Sequence, residues 1–534
     1  MIKVGDMIKR LYVLLLIITV STSYIMASGQ EGDDKIKGKH RRLLEEAEFF
    51  FGLEDHFMSR ELYAELLDYY PENLDFSFKL GYSYLHLRNE EKMAIPYLEV
   101  SARNGYTPAY YFLAEAYHLN EQFHKALDAL DKYRQKPDKQ LTHARIDRTE
   151  EKIENAMEMM GYPIEVDIKK LGDHVNSDYQ DYAPNIDPSG DFLYFTSRRP
   201  ESTGGNIDPD GNYFEDIFVS KCIADSWTMA EALPQPLNND GHDANVNFAS
   251  SGNRMIIYRT HKNMVSGDLY TSERVREGWS EPELMGSSIN TDNYNEPSAA
   301  YSPDEQEVYV VSDRPGGFGG KDIYVIRKLP TGEWAEPQNL GRKINSAYDE
   351  DAPFLSLDGQ SLYFASMGNG SIGGYDIFQS KRTEEGEWSA PDHLGYPINS
   401  VYDDIYFSLT ADAKRGFLST SREGNMDIYE VDMLYETDDL VVIKGQVTDS
   451  GSDEIVRAQI SLIDGETGQK VVSVVPNKIT GLFVAAIMPD KNYSLLVEAE
   501  GYQRQEQVVS IPVKEKGAFK VLQMDVQLIK DQEK

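Results

Sequence analysis

The chain of 534 residues contains one cysteine, Cys222, and only four tryptophans. A single cysteine cannot form an intrachain disulfide, so buried apolar cores must stabilise the fold. Basic residues are also few: 53 lysines and arginines face 89 aspartates and glutamates, for a formal net charge of −36. Nucleic acid and anionic lipid headgroups are bound through neutralising cations, so this charge argues against both as direct partners. It suits a soluble protein or one with basic partners.

Long apolar runs are missing except near the N-terminus. There, basic residues precede the run from Leu11 to Val20, and small and polar residues follow it. This order predicts a secretory signal over residues 1–28. Because Tyr24–Met26 extends the apolar stretch, an uncleaved N-terminal anchor remains the alternative. No cysteine lies near the end of the segment, which excludes a lipoprotein modification.

Catalytic motifs are missing as well. The sequence contains neither the G-x-S-x-G elbow of serine hydrolases nor the H-E-x-x-H motif of zinc peptidases, and its ten histidines show no metal-ligand spacing. We therefore predict that the chain is not an enzyme and has no catalytic residue, no cofactor and no metal ion.

What the chain does contain is a repeat of about 50 residues. An aspartate followed by two apolar residues recurs at intervals of 52, 54, 54 and 51 residues, at Asp216, Asp268, Asp322, Asp376 and Asp427. Each of the four tryptophans, Trp227, Trp279, Trp334 and Trp388, follows one of these aspartates by eleven or twelve residues. A segment ending in asparagine then closes the unit, as in PQPLN, GSSIN, GRKIN and GYPIN.

Five units run from about Asn176 to Val431, and each is predicted to form four short strands. Tandem four-stranded units of this length are typical of β-propeller blades. The segments SPD, DxxGxxLYF, SDRPGG and DIY resemble the PD40, or WD40-like, repeats of the TolB propeller. This resemblance covers about half the chain and implies a five-bladed β-propeller over residues 164–435.

The glycine-rich loop SDRPGGFGGKDIY, residues 312–324, has the composition of a phosphate cradle. A cradle, however, is a single feature that opens a helix, whereas this loop recurs in every unit and precedes a strand. We therefore interpret it as the turn between the second and third strands. The last unit lacks a fourth strand, and residues 165–176, EVDIKKLGDHVN, are predicted to supply it and close the ring.

Residues 40–160 show helical periodicity and a second repeat of about 34 residues, with phases starting near His40, Leu74 and Thr107. Small residues recur at position 8 (Ala47, Gly81, Ala114), aromatic residues at position 11 (Phe50, Tyr84, Tyr117), and Ser59, Met93 and Ala126 at position 20. The pattern resembles tetratricopeptide (TPR) repeats, which implies an α-solenoid with a further capping helix over Leu141–Met160.

A TPR solenoid presents a concave groove that can bind a peptide. Helix phase predicts that its inner surface carries aromatic, histidine and acidic side chains, and these are our candidate partner-binding residues: Asp75, Tyr82, His86, Tyr111, Glu115 and His118. The alternatives are that they are packing or solvated positions, or that the groove docks on the propeller.

The last 95 residues contain seven candidate strands, from VVIKGQVTD to VLQMDVQLI, which predicts a β-sandwich over residues 439–530. IKGQVTD, the turn Asp464–Gly468, Tyr493 and the segment Ala499–Tyr502 resemble the carboxypeptidase-regulatory-like domain. That resemblance implies a non-catalytic module.

The predicted fold class is thus multidomain α plus all-β: a TPR α-solenoid, a five-bladed β-propeller and a C-terminal β-sandwich. This order resembles periplasmic cell-envelope proteins, including a component of the type IX secretion system, that continue into an OmpA-like peptidoglycan-binding domain. Here the sequence ends at Lys534, directly after the sandwich, so we do not expect peptidoglycan anchoring.

The resemblance implies a periplasmic, outer-membrane-associated scaffold or adaptor that binds other cell-envelope proteins in outer-membrane or secretion-system assembly. The alternative is a carbohydrate-active enzyme that uses the propeller pore. Such an enzyme needs converging carboxylates unique to one blade. The candidates are Asp403 and Asp404, and the run Asp349, Glu350 and Asp351, each expected just before a first strand.

Overall fold

The structure is a computed structural model that describes residues 36–137, 141–208, 211–261, 266–433, 440–489, 491–510 and 521–531. The chain divides into two compact units, Met1–Met157 and Glu158–Lys534. The predicted signal over residues 1–28 lies outside the described residues. Within the described part, no helix combines the length and apolarity needed to cross a membrane.

Seven α-helices come first among the described residues. Their bounds are α1 (Gly38–Gly52), α2 (His56–Tyr69), α3 (Leu74–Leu85), α4 (Glu91–Arg103), α5 (Ala109–Leu119), α6 (Phe123–Gln135) and α7 (His143–Gly161). Side chains cap two helix starts: Asp55 accepts from the Met58 N–H at 2.9 Å, and Asn73 accepts from the Phe76 N–H at 3.1 Å. From α1 to α6, each helix packs against the next.

Small residues lie where the helices approach each other. Ala47, Gly81 and Ala114 are buried, and a Cβ at Gly81 would lie 2.8 Å from the Leu98 side chain in α4. The observed burial agrees less well with the repeat pattern at position 20. Met93 is 49% exposed there, whereas its counterparts Ser59 and Ala126 are fully buried.

The β region begins with five antiparallel sheets. Their strands are β1 (Asp167–Lys170), β2 (Asp181–Ile186), β3 (Phe192–Ser197), β4 (Asp216–Ile223), β5 (Ser226–Trp227), β6 (Glu231–Ala232), β7 (Asp243–Phe248), β8 (Arg254–Thr260), β9 (Gly267–Val275), β10 (Gly278–Trp279), β11 (Glu283–Leu284), β12 (Ala299–Tyr301), β13 (Glu307–Ser312), β14 (Asp322–Arg327), β15 (Gln338–Asn339), β16 (Glu350–Leu355), β17 (Ser361–Ser366), β18 (Asp376–Lys381), β19 (Asp392–His393), β20 (Asp404–Leu409), β21 (Arg415–Glu423) and β22 (Asn425–Asp432).

Each sheet uses one repeat unit. Sheet 1 contains β2–β6, sheet 2 β7–β11, sheet 3 β12–β15 and sheet 4 β16–β19, while sheet 5 has the order β1-β22-β21-β20. The first strands of successive sheets contact one another, from β2 through β7, β12 and β16 to β20, and β20 contacts β2 in turn. The five first strands therefore form a closed series of neighbours.

The fourth strand of sheet 5 comes from the start of the β region, as the sequence predicts. Asp167 of β1 pairs with Asp432 of β22, and Lys170 pairs with Tyr429, so β1 runs antiparallel along the strand that holds Asp427. The predicted pairing of segment 165–176 with the fifth unit is confirmed.

The remaining strands form two four-stranded sheets. They are β23 (Val441–Asp449), β24 (Gln459–Asp464), β25 (Lys470–Val474), β26 (Leu482–Ile487), β27 (Asn492–Glu498), β28 (Gln505–Ser510), β29 (Val521–Gln523) and β30 (Val526–Leu528). One sheet has the order β25-β24-β27-β28, and in the other β23 pairs with β26, β29 and β30. Their apolar side chains share one core that includes Ile443, Leu462 and Leu495. The last candidate strand, VLQMDVQLI, forms the two short strands β29 and β30.

Contacts tie these two sheets to sheets 1 and 2. Lys478 forms an ion pair with Glu273 at 2.6 Å, and its backbone N–H donates to Asn253 Oδ1 at 2.8 Å. Asn253 in turn donates to the Pro476 carbonyl at 3.0 Å, and Lys444 donates to the Ser189 carbonyl at 2.9 Å.

Candidate functional site

Two of the six residues predicted for the helical groove lie together. The Tyr82 and His86 rings are 4.2 Å apart, and His86 is exposed. The structure adds His56, whose ring stacks on His86 at 4.8 Å, and Phe112, which packs edge-on against Tyr82 at 4.9 Å. Burial, with the neighbouring His86 charge, lowers the pKa of His56 to about 4. The His56 side chain in this cluster is therefore neutral near pH 7.

Tyr111 and His118 do not line an open surface, and their prediction as accessible side chains is wrong. Tyr111 is 1% exposed and His118 is 5% exposed. The Tyr111 hydroxyl hydrogen-bonds Thr149 at 2.8 Å and accepts from Arg145 Nε at 3.2 Å, so α7 covers it. For Tyr111, the error arises because the capping helix packs on the face that helix phase assigned to the groove, whereas His118 packs against Phe123 of α6.

The two predicted acids are held by basic side chains. Asp75 forms an ion pair with Lys79 at 3.0 Å, and the buried Lys79 also contacts Glu48 at 2.5 Å. Burial opposes the charge of Lys79, but these two carboxylates raise its pKa overall. Glu115 lies 4.0 Å from Arg145. Asp75 therefore has a structural partner, and whether any of the six residues binds a partner protein stays a prediction.

The helical unit also exposes apolar side chains that the sequence analysis missed. Phe49 and Leu53, at the end of α1, are 53% and 38% exposed, and Phe57, at the start of α2, is 55% exposed. We call Phe49, Leu53 and Phe57 the α1–α2 patch. Exposed apolar side chains can mark a protein-binding surface when they form a contiguous patch.

In the β region, three of the five repeated aspartates accept hydrogen bonds from their glycine loops. Asp322 accepts from the backbone N–H groups of Phe318 and Gly319 at 2.7 and 2.9 Å, and Asp376 accepts from the Ile372 N–H at 2.5 Å. Asp216 makes the equivalent bond to the Thr203 N–H at 2.6 Å. These contacts give the three aspartates a structural role.

The glycines are required by a close approach of the next unit. A Cβ at Gly319 would overlap the Tyr348 carbonyl, and one at Gly373 would overlap the Tyr402 carbonyl. The loop of one sheet thus packs on the segment before the first strand of the next sheet. This contact explains the glycines without a bound phosphate.

The repeated asparagines hold the third strands. Asn345 accepts from the Ile323 N–H at 2.8 Å and donates to the Ile323 carbonyl at 3.0 Å. The same two bonds recur in the other four sheets, through Asn238 to Ile217, Asn290 to Leu269, Asn399 to Ile377 and Asn176 to Ile428. The sequence pattern contained these asparagines but not their role.

The acids weighed as catalytic candidates all have partners. Asp404 pairs with Arg422 at 2.6 Å, and Asp351 pairs with Lys321 at 2.5 Å. Asp349 and Asp403 accept backbone N–H groups of the preceding glycine loop, at Lys321 and Tyr375. Glu350 accepts from the hydroxyls of Ser346 and Ser366 at 2.6 and 2.7 Å.

Glu350 differs from the acids at the same place in the other sheets. Those acids pair with arginines, as Asp181 with Arg199 and Glu296 with Arg314, whereas Glu350 has no basic partner among the contacts of the described chain. Burial therefore raises the pKa of Glu350 to about 7, although the two serines oppose this shift.

A cavity of about 240 Å³ lies between the five first strands. Its wall is mainly alanine, proline, valine and aromatic side chains, with the polar residues Tyr182, Asn185, Glu215, Asn245, Asn247, Tyr258, Ser298 and Tyr406. In β2, β16 and β20 the backbone has a register shift, and Ala183, Ala352 and Tyr406 adopt positive φ angles of 54°, 49° and 59°. These bulges turn neighbouring side chains toward the cavity wall. Sequence periodicity does not reveal them.

Comparisons with known proteins give little further information. No protein-family model and no curated protein matches the sequence. Among solved structures, catechol 1,2-dioxygenase of Acinetobacter radioresistens has 14% identity and a TM-score of 0.15, over 18% of this chain and 54% of its own. An endo-arabinase of Bacteroides thetaiotaomicron has 14% identity and a TM-score of 0.33, over 51% of this chain and 99% of its own.

A beta-fructofuranosidase of Bombyx mori has 11% identity and a TM-score of 0.31, over 69% of this chain and 93% of its own. At TM-scores this low, none of the three similarities establishes a fold or an activity for this chain.

Proposed function

We propose that the chain is a non-enzymatic scaffold or adaptor of the bacterial periplasm, associated with the outer membrane, that binds other cell-envelope proteins. The observation that carries this proposal is the set of exposed and partly exposed aromatic and apolar side chains of the helical unit, at Tyr82, His86 and the α1–α2 patch, on a chain with a net charge of −36. Aromatic side chains are the residues that most often anchor protein interfaces.

The fold supports this proposal in finer detail. We interpret the helical unit as a TPR solenoid, sheets 1–5 as the blades of a β-propeller closed by β1, and the last two sheets as a carboxypeptidase-regulatory-like sandwich. The closed series of first strands and the five equivalent asparagine contacts support the propeller. All three modules are interaction modules in the proteins that the sequence resembles.

The alternative, a carbohydrate-active enzyme, is supported only by the cavity between the first strands. A glycosidase needs two carboxyl groups that face a substrate with different protonation states. The five candidate acids each hold a backbone group, a hydroxyl or a basic side chain, which favours a structural role.

Crosslinking in intact cells, followed by affinity purification of the chain, tests the proposal. We expect recovery of specific envelope proteins, and a several-fold loss of recovery in the double variant Tyr82→Ala, His86→Ala. Tyr162→Ala is the matched control, because Tyr162 is 81% exposed and lies outside the aromatic cluster.

If a folded double variant recovers the same envelope proteins in unchanged amounts, the Tyr82–His86 surface is excluded as the binding site. Glycan cleavage by the purified protein that disappears in Asp403→Asn or Asp404→Asn would reject the scaffold in favour of the enzyme.

A further inference from the structure

We propose that the cavity between the five first strands is a binding site for a protonated primary amine. The amine can come from a small molecule or from a lysine side chain of a protein. This inference goes beyond the scaffold role and does not depend on it, since the helical surface and the cavity are separate sites.

The polar wall of the cavity contains both donors and acceptors, and Asn245 is an acceptor that lacks a partner in the described part of the chain. Asn245 is 2% exposed, and its Nδ2 donates to the Ala183 carbonyl at 2.9 Å. Its Oδ1 is buried and accepts no hydrogen bond from the described residues. Asn185 also directs its Nδ2 at backbone carbonyls, of Ala183 and Val246. A ligand donor that reached the Asn245 amide oxygen would relieve this cost, because a buried acceptor without a partner costs about 1–3 kcal/mol.

The charge of the wall selects a cationic donor over a neutral one. Glu215 is the charged residue among those that line the cavity. It accepts from the Tyr182 hydroxyl at 2.7 Å and contacts His242. Burial opposes ionisation of Glu215, but His242, the Tyr182 hydroxyl and the Arg198 charge together lower its pKa, so the group is a carboxylate at neutral pH.

The basic groups near the rim are already paired with carboxylates. Lys321 contacts Asp351 at 2.5 Å, and Arg198 pairs with Asp208. An entering ammonium group would therefore meet the half-buried Glu215 carboxylate, close to Asn245, without an unpaired cation opposing it in the contacts described.

Aromatic side chains complete the site. The Tyr182 and Tyr406 rings lie 5.9 Å apart, and Tyr258 lines the same wall. The face of a tyrosine ring attracts an ammonium group, and the surrounding apolar wall suits an alkyl chain. With about 30 Å³ of liquid volume per water, a cavity of 240 Å³ has room for a short alkylamine or the end of a lysine side chain.

The first experiment compares two small probes on the unmodified protein, by isothermal titration calorimetry and saturation-transfer NMR. n-Butylamine carries the proposed charge, and n-butanol has nearly the same shape without it. We expect saturable binding of n-butylamine, weakened by salt, and at least tenfold weaker binding of n-butanol. Equal binding of both probes, saturable binding of glucose in preference to the amine, or no saturable binding of the amine would overturn the proposal.

Variants locate the site. Glu215→Gln keeps the size of the side chain and should weaken n-butylamine binding about tenfold or more. Glu387→Gln is the matched control, since the Glu387 side chain is 73% exposed and does not line the cavity. Equal affinity in the Glu215→Gln variant and the unmodified protein would reject the site. If Glu215→Gln does not fold, the comparison of the two probes still decides.

Two peptides distinguish the sources of the amine. A blocked pentapeptide with one central lysine should compete with n-butylamine if a protein side chain can enter, and the same peptide with norleucine should not. Competition by the lysine peptide assigns the site to a protein partner, whereas binding of n-butylamine without competition assigns it to a small amine.

Discussion

The β region and the helical unit both contain sequence repeats, but they differ in how a repeat position relates to its surroundings. In the five sheets, equivalent residues make equivalent bonds, as with Asn345 and Asn399, which hold Ile323 and Ile377 in the same way. In the helical unit, equivalent positions meet different neighbours, because a helix pair is covered by another pair at one place and by α7 at another. Ser59 is buried at position 20, whereas Met93 is half exposed.

Periodicity therefore identifies residues that make equivalent contacts in every sheet, although it does not reveal the bonds themselves. It does not identify a side chain whose burial depends on the next element in the chain.

Tyr111→Ala should destabilise the helical unit by about 3–5 kcal/mol, because it removes a fully buried ring together with its hydrogen bond to Thr149. Tyr82→Ala should cost less, since that ring is partly exposed. Chemical denaturation followed by far-ultraviolet circular dichroism measures both values. A smaller cost for Tyr111 than for Tyr82 would show that α7 does not cover Tyr111 in solution.

Trp388→Ala should destabilise the β region by about 3–4 kcal/mol. Trp388 is 9% exposed and packs against Tyr309 of sheet 3, with the Arg382 guanidinium 4.8 Å from its ring. The control is Trp334→Ala at the equivalent, half-buried position, where we expect a clearly smaller loss. Thermal and denaturant unfolding measure both losses of stability. Equal losses for Trp388→Ala and Trp334→Ala would contradict the difference in burial between the two positions.

Much of the strand order follows from the sequence because aspartate, glycine, tryptophan and asparagine each recur in register. The pairing of β1 with β22 follows for the same reason, since Asn176 and the preceding Leu171 repeat the end of the other units. The seven helices are also recognisable from apolar periodicity, and the predicted cap over Leu141–Met160 lies close to the observed α7, His143–Gly161.

The candidate sites are harder to predict. Residues such as Tyr82 and Tyr111 share a helix phase, and only the packing of α7 separates an accessible ring from a buried one. The cavity depends on bulges at Ala183, Ala352 and Tyr406, where the alternation of strand side chains is interrupted. No periodic signal marks the place at which such an interruption occurs.

Asn345→Ala should cost about 2–3 kcal/mol, because it leaves the buried N–H and C=O of Ile323 without their partner. Asn104→Ala is the control in the helical unit, since the Asn104 amide is exposed and bonds only the Val100 carbonyl of its own helix. Denaturant unfolding of both variants gives the comparison. A cost for Asn345 no larger than that for Asn104 would show that the repeated asparagine is not needed for strand order.

The smallest effect that we predict separates sheet 4 from the other sheets by its pH dependence. The pKa of Glu350 is raised from 4.5 to about 7 because the carboxyl group is buried without a basic partner. A raised pKa in the folded state means that folding takes up a proton. The contribution of Glu350 to stability is therefore fully present below about pH 4.5, falls as the pH rises, and is lost above about pH 7.

Glu350→Gln removes this titration and should reduce the loss of stability between pH 5 and pH 8 by about 2 kcal/mol. Urea unfolding of the variant and of the unmodified protein at the two pH values measures this difference. Altered hydrogen bonds to Ser346 and Ser366 would change the free energy of unfolding equally at both pH values, so they do not affect the comparison. Glu387→Gln, which removes an exposed acid, should leave the pH dependence unchanged. An identical pH dependence in Glu350→Gln and the unmodified protein would mean that Glu350 has another basic partner in solution, as the equivalent acids of the other sheets do.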